Sequence, residues 1–475
     1  MRNTLLLSLA CLAQSTGALT LHERAQPATV QYDIHRRQGL SHARHKRSAP
    51  ETDIDNEETY YAITLNLGTP SQAVEVILDT GSSDLWVNAG NSSSDNPYGV
   101  FESSSSSTFK VVNDEFAIMY VDGSGAIGDY VTDTVAFGNV TLTDFQFGLA
   151  EESSTQQGVC GIGYASNEYA DLRNDEGYAN LPEALVNQGY IKSAAYSLWL
   201  DDIDAGEGTI LFGGINTAKY VGSLHTLPIQ AEQGEYSELA VNLSGVHVTK
   251  AGKSISVNNT AFPAVSVLDS GTSLTYLPTG TALDIIDAVG GEYYESQGLA
   301  VLKCDTAKKS DYEIVFAFSG FNLSIPLSDM LLEASFGYCA FGIAPESETA
   351  SGGIYLLGDT FLRSAYVVYD LANNEIHLAK TNTNPGPDHV LEIGTGATAV
   401  PQVTGTSNTQ TASAATATAT GKSGSGSGSS GKGSGSDGDS DSDSDDKKEN
   451  WAPALRTDFA SLVVGVSFVA LLLAL

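Results

Sequence analysis

The sequence predicts a mostly β protein built as two similar lobes that face each other across a cleft. Three observations carry that expectation. Residues 55–382 form a series of short apolar or alternating runs that break at Gly, Asp and Asn. Among them are YYAITLNLG (60–68), VEVILDT (74–80), DTVAFGNVTLTDFQFG (133–148), YSLWL (196–200), GTILFGG (208–214) and AYVVYD (365–370). One stretch occurs twice: AVEVILDTGSSDLWV at 73–87 is echoed by VSVLDSGTSLTYLP at 265–278, with Asp79 and Asp269 lying 190 residues apart. A second echo follows each copy, GVCGIGY at 158–164 and IYLLGDTFL at 354–362. Helical patterns are few, with LPEALVNQG (181–189) and GTALDIIDAVGG (280–291) the best of them.

At 475 residues the chain is too long for one ordinary core. Residues 1–18, MRNTLLLSLACLAQSTGA, read as a secretory signal whose apolar run is too short to span a bilayer. Residues 19–47 carry six Lys or Arg against Glu23 and Asp33, with His22, His35, His42 and His45. This basic segment ends in Lys46-Arg47 on an otherwise acidic chain. It is expected to be a removable propeptide that covers an acidic cleft until cut at that dibasic site, its histidines charging as pH falls. Residues 48–57 are the acidic start of the mature chain. The first lobe is assigned to 58–240 and the second to 241–382.

From 383 to 444 the chain is Gly, Ser, Thr, Ala and Asp. It is expected to be an extended stalk without a core, dense enough in Ser and Thr for O-glycosylation. Residues 445–475 end in the uncharged run FASLVVGVSFVALLLAL. Small residues, a polar spacer and a terminal apolar tail read together as a GPI-anchor signal, with attachment at Ser444 or, alternatively, Asn450. That places the protein on the outer face of the plasma membrane or in the cell wall. The GKS at 421–423 lacks the strand and helix of a phosphate loop.

Charge and cysteines narrow the class further. A net charge of −34 and a pI near 4.3 exclude nucleic acid as a partner and suit solubility in an acidic medium. Cys11 leaves with the signal, so Cys160, Cys304 and Cys339 remain. One disulfide fits this set; Cys304–Cys339 is the local choice, although sequence alone does not decide the pairing. Cys160, among apolar and Gly residues, is expected to be a buried, inert thiol. Sequons at Asn91, Asn139, Asn242, Asn258 and Asn322 fit a glycosylated extracellular domain. No His-Glu-x-x-His or comparable metal cluster occurs, and no metal or cofactor is expected.

The chemistry lies in the repeat. An ionised Asp79 at the end of an apolar strand is costly unless it is hydrogen-bonded or has a partner. If the two lobes are related by a pseudo-twofold axis, Asp79 meets Asp269. Two carboxyl groups in contact share one proton and titrate as a pair. One then acts as base on a water that attacks an amide carbonyl, and the other as acid. Gly81 and Gly271 let the loops approach, Thr80 and Ser270 sit within them, and the Ser82 and Thr272 hydroxyls can orient the carboxylates.

These motifs resemble the pepsin-type aspartic proteases over residues 58–382, and more closely the fungal secreted proteases of the candidapepsin and yapsin group. The resemblance rests on Asp79-Thr80-Gly81-Ser82, Asp269-Ser270-Gly271-Thr272, MYVDGSG (119–125), FGGINTAKYVGSL (212–224) and LGDTFLRSAYVVYDLANNEIHLA (357–379). It implies a pepsin-like bilobal fold and an aspartic endopeptidase acting at acidic pH on peptides bound in extended form. It implies a flap hairpin carrying Tyr120, bonded to Trp86, with Asp122 and Gly123 in its turn. Asp122 is expected to favour Lys or Arg before the cut bond; its bland alternative is a routine turn Asp. A monomer is expected, with its own propeptide and the membrane lipid as further partners. Two other readings share the fold: a secreted, unanchored digestive protease, and an inactive surface-binding protein. Cys160 stands where that group usually has an aliphatic residue, and the loop after Trp86 lacks the Cys many relatives carry.

Overall fold

The computed structural model describes residues 27–38, 59–90, 96–172, 177–203, 205–333, 337–346 and 355–406. The strands that concern the first half are β1 (Val30–Gln38), β2 (Thr59–Leu67), β3 (Gln72–Asp79), β4 (Leu85–Asn88), β5 (Lys110–Met119), β6 (Gly125–Phe137), β7 (Val140–Ser153), β8 (Gly158–Gly161), β9 (Ala195–Leu200) and β10 (Glu207–Phe212). They belong to one sheet of 13 strands. Within it the order β2-β3-β8-β4-β7-β6 closes into a barrel, because β2 pairs again with β6 through Asn66↔Ala136 and Leu67↔Val135. Closure leaves no free edge around this part of the sheet. Alternate residues of the strands point inward, and Leu65, Val76, Leu78, Val131, Val135 and Phe147 are buried in one core.

Each Asp loop is built in the same way. β3 runs parallel to β8 with Leu78 opposite Cys160, and β8 lies antiparallel to β4. In the second half, strand Ala264–Leu268 runs parallel to Tyr355–Leu357 with Leu268 opposite Leu357. That strand in turn lies antiparallel to Thr275–Leu277. The second echo in the sequence is therefore the strand held between the two arms of each loop. Its glycines follow from packing. A Cβ on Gly161 would lie 2.4 Å from the Ser83 nitrogen, and one on Gly358 would lie 2.2 Å from the Leu274 oxygen.

The two halves are not separate sheets. Strands Ala365–Asp370 and Glu375–Thr381, late in the second repeat, return to the large sheet, where Val367 faces Leu198 of β9. A boundary near 240 therefore does not divide the sheet, which is common to both lobes.

One segment adds to the sequence reading and one departs from it. Residues 27–38, inside the expected propeptide, form β1, inserted between β10 and β2. Val30 and Ile34 alternate with polar neighbours and are buried, and Ile34 sits opposite Gly208, where a side chain would collide with it. The basic composition concealed this alternation. The expected stalk also starts too early at 383. Leu391 pairs with Ile215, Ile393 and Val400 are buried, and Thr406 bridges to Val221, so the chain stays on the body to residue 406. Val390, Leu391, Ile393 and Val400 supply apolar contact that the average composition of 383–444 hides.

Cys304 and Cys339 are disulfide-bonded, next to the pair Leu302↔Cys339. Asn139, Asn242, Asn258 and Asn322 are exposed. The signal segment, Lys46-Arg47, Asn91, Ser444, Asn450 and the terminal apolar run lie outside the described residues. No helix among the described residues is long and apolar enough to cross a membrane.

Candidate active site

The two Asp loops meet where the halves join. Asp79 and Asp269 are 6% and 8% exposed. The Oδ1 of Asp79 accepts the Gly81 N–H at 2.7 Å, and that of Asp269 accepts the Gly271 N–H at 2.8 Å. Each Oδ2 accepts a hydroxyl three residues on, from Ser82 and from Thr272 respectively. The loops are also tied crosswise. Thr80 Oγ1 donates to the Leu268 carbonyl (2.7 Å) and accepts from the Ser270 N–H (2.9 Å). Ser270 Oγ donates to the Leu78 carbonyl (2.8 Å) and accepts from the Thr80 N–H (3.1 Å). Four buried, reciprocal hydrogen bonds thus fix one loop against the other, each donor and acceptor satisfied by the opposite half.

The glycines set how close the carboxyl groups come. A Cβ on Gly81 would lie 2.6 Å from Asp269 Oδ1, and one on Gly271 would lie 2.5 Å from Asp79 Oδ1. Neither position tolerates a side chain without pushing the opposite carboxylate away. Burial holds the Asp79 carboxyl well above the ordinary carboxylate range, and the charge of Asp269 and a hydrogen bond between the two add to that effect. Donation from Ser82 and the Gly81 N–H pulls the other way and is outweighed. The arrangement therefore keeps a proton on the pair at pH values where isolated carboxylates have lost theirs.

The hairpin of β5 and β6 carries the residues expected on a flap. Tyr120 is half-buried, and its hydroxyl accepts the Trp86 indole N–H at 2.8 Å. Trp86 itself is buried with Phe116, Tyr130 and Val159. Gly123 has φ +84°, a conformation that suits Gly in a tight turn. Asp122 is exposed, and its Oδ1 accepts both the backbone N–H (2.8 Å) and the hydroxyl (2.6 Å) of Ser124. One of its oxygens thus serves the turn. Cys160 is fully buried, and burial, with Asp79 second, pushes its thiol up to about 12.

Two further acidic groups support the site and were not singled out in the sequence. Asp84, 1% exposed, accepts the Tyr130 and Tyr178 hydroxyls (3.0 and 2.9 Å) and the Tyr169 N–H (2.9 Å), anchoring the segment just before Trp86. Asp359 opens the short helix Asp359–Leu362, and its N–H donates to the Thr272 carbonyl at 2.8 Å. Its carboxyl is fully buried and raised by that burial, with buried Arg363 opposing the shift. GDTFLR sets this Asp and Arg363 four residues apart in the sequence, but both oxygens of the buried Asp359 carboxyl make no hydrogen bond, and Arg363 acts on it through its charge alone.

Comparison with known proteins matches residues 60–381 to the family described as eukaryotic aspartyl protease. The chain belongs to this family, the pepsin-type aspartic proteases. A probable aspartic-type endopeptidase, opsB, of Aspergillus oryzae is 46% identical over 426 residues, which cover 85% of this chain and 86% of that protein. The protein of the same name from Aspergillus fumigatus is 44% identical, over 84% of this chain and 86% of its own length. Aspartic proteinase yapsin-3 of Saccharomyces cerevisiae is 36% identical, over 71% of this chain and 69% of its own length. This aspartyl protease is accordingly an aspartic-type endopeptidase, a hydrolase of peptide bonds.

Proposed function

We propose that Asp79 and Asp269 are the catalytic pair of this endopeptidase. The observation that carries the reading is their reciprocal setting: two buried carboxyl groups, each bonded by its own loop, held together by glycines that leave no room for a Cβ. With one proton between them, the ionised member takes a proton from a water as that water attacks the amide carbonyl. The protonated member gives its proton to the carbonyl oxygen, forming a tetrahedral diol. Collapse of the diol breaks the C–N bond, with a proton passing to the leaving nitrogen. Ser82 and Thr272 keep the outer oxygens turned away from the reacting centre. The Tyr120 hairpin closes over an extended peptide and excludes water. No cofactor enters this scheme. Asp79→Asn in otherwise folded protein tests it: turnover falls by about 10³-fold or more if the pair acts as one unit, and retained turnover defeats the reading.

The finer reading is of a surface enzyme. Residues 19–47 act as a propeptide cut after Arg47, and a GPI lipid at Ser444, or at Asn450, holds the mature chain at the outer cell surface. What supports this is the order of signal, basic segment, polar stretch and terminal apolar run in the sequence. Release of cell-bound protein by a phosphatidylinositol-specific phospholipase tests the anchor; protein that stays bound, or is found free, contradicts it. Asp122 is proposed to favour Lys or Arg before the cut bond, supported by its exposure at the flap turn and by the oxygen left over from its bonds to Ser124. Unchanged Lys/Arg cleavage by Asp122→Ser would sink that part alone.

A further inference from the structure

Far along the sequence from both Asp loops, the hairpin of strands Ala365–Asp370 and Glu375–Thr381 carries a second group of polar side chains. Asp370 and Glu375 are cross-strand partners at its closed end, and His377 follows Glu375 by two residues. The period of two puts all three on one face of the hairpin. One ligand atom from each lies within 4.8 Å of those of the other two. Asp370 is 1% exposed and His377 2% exposed.

The imidazole is the informative member. Its Nδ1 is 2.9 Å from the Thr226 hydroxyl on the neighbouring strand, so that nitrogen has a partner. Its Nε2 is buried and makes no hydrogen bond, and it points at Glu375, whose Oε2 is 3.7 Å away. That separation is too long for a hydrogen bond. A buried ring nitrogen with no hydrogen bond, beside the Glu375 carboxylate and in a cluster with Asp370, has the chemistry of a metal ligand. The surroundings fit as well. Thr226 fixes the ring from behind, and Asn373 bonds Asp370 through both its N–H (3.2 Å) and its side-chain amide (2.8 Å). Such outer contacts orient metal ligands and leave lone pairs of the carboxylate free. The Glu375 side chain is 34% exposed, which gives an ion a way in from solvent.

We propose that Asp370, Glu375 and His377 bind a divalent transition cation of the zinc class, tying the two strands together at the end of this hairpin. A nitrogen and two carboxylates suit zinc, cobalt or manganese better than calcium or magnesium, which take oxygen almost alone. Bonds of about 2.0–2.2 Å place ligand atoms roughly 3.3–4 Å apart, so groups now within 4.8 Å of one another close in by up to about 1.5 Å around the ion. Glu375, the half-exposed member, is the one free to make that movement. A fourth position is open to water. The site is structural and takes no part in peptide hydrolysis.

Cobalt is the probe, because its visible absorption reports ligand number and type. Purified full-length protein, stripped with chelator and dialysed near neutral pH, is titrated with Co²⁺ and then with Zn²⁺. The expected result is one Co²⁺ per chain with visible bands of four or five coordination, bleached as Zn²⁺ displaces it. Thr226→Val weakens binding about 10- to 100-fold, Glu375→Gln and His377→Gln weaken it at least tenfold, and His389→Gln leaves it unchanged. Near-UV circular dichroism verifies that each variant is folded. Glu375→Gln, at a half-exposed position, serves if His377→Gln does not fold. Absence of stoichiometric cobalt binding by the wild type overturns the proposal and leaves a bridging water as the occupant. A loss of less than tenfold in a folded Glu375→Gln or His377→Gln overturns it equally.

Discussion

Replacing Gly81 by Ala tests the geometry of the carboxyl pair more sharply than removing a carboxylate, because it leaves every polar atom in place. Gly81 does not adopt a left-handed φ, so Ala carries no backbone strain there. The cost is contact alone. The new Cβ would lie 2.6 Å from Asp269 Oδ1 and 2.7 Å from its Cγ. An ordinary carbon contact is about 3.5 Å, so the two loops must part by a little under 1 Å. A misplacement of about 1 Å costs roughly 10²-fold in rate, or about 2.7 kcal/mol at 1.36 kcal/mol per decade. Initial rates on a fluorogenic peptide should show kcat down about 100-fold with KM changed much less, since the extended peptide's other contacts are untouched. Gly271→Ala should behave alike, its Cβ being 2.5 Å from Asp79 Oδ1. A folded Gly81→Ala enzyme whose kcat stays within about threefold of wild type refutes the reasoning, because the close approach would then not matter.

Other outcomes follow from the same structure. Ser270→Ala leaves the Leu78 carbonyl and the Thr80 N–H without their partner in a buried site. It should cost about 1–3 kcal/mol per unsatisfied group in urea unfolding, and a loss under 0.5 kcal/mol would mean that the crosswise bonds are incidental. Removing the disulfide with Cys304→Ser and Cys339→Ser opens a loop of 35 residues, worth about 4 kcal/mol on the chain-entropy estimate; an unchanged unfolding midpoint would contradict it. The pH dependence of stability has a definite sign. Asp79 holds its proton more tightly folded than unfolded, through burial first and Asp269 second. Its contribution is therefore full below the ordinary carboxylate range and is lost as pH rises through its raised value. Asp84 and Asp359, also raised by burial, act in the same direction. Asp79→Asn cannot ionise, so its melting temperature should match wild type in acid and exceed it increasingly towards neutral pH. A difference independent of pH would be inconsistent with that proton.

Much of the site was legible because the repeat exposed it. Two copies of one motif made the contact between Asp79 and Asp269 a geometric expectation, and in the structure the hydroxyls of Ser82 and Thr272 donate to the two carboxyl groups. The crosswise role of Thr80 and Ser270 was not readable, because it depends on how two strand ends abut. Asp84, Asp359 and Arg363 read as polar residues beside apolar ones, and the spacing in GDTFLR did not reveal that Asp359 and Arg363 are buried. The misplaced start of the stalk has a physical cause. Composition averages over long windows, so Ile393 and Val400 in a Gly/Thr-rich segment were outvoted by their neighbours, and the alternation of Val30 and Ile34 was hidden in the same way within a basic segment. Burial is decided residue by residue, and a few apolar side chains at the right spacing dock a segment that its average describes as unstructured.

The central claim is that one proton shared by Asp79 and Asp269 drives peptide hydrolysis. Its most direct test is the pH profile of kcat/KM, from about pH 3 to 7, for wild type and for Asp79→Asn and Asp269→Asn, on protein trimmed after Arg47. A bell-shaped wild-type profile, with both variants inactive across the range though folded, is the predicted result. Turnover in either variant within about tenfold of wild type would contradict the account, since a single carboxyl group would then suffice.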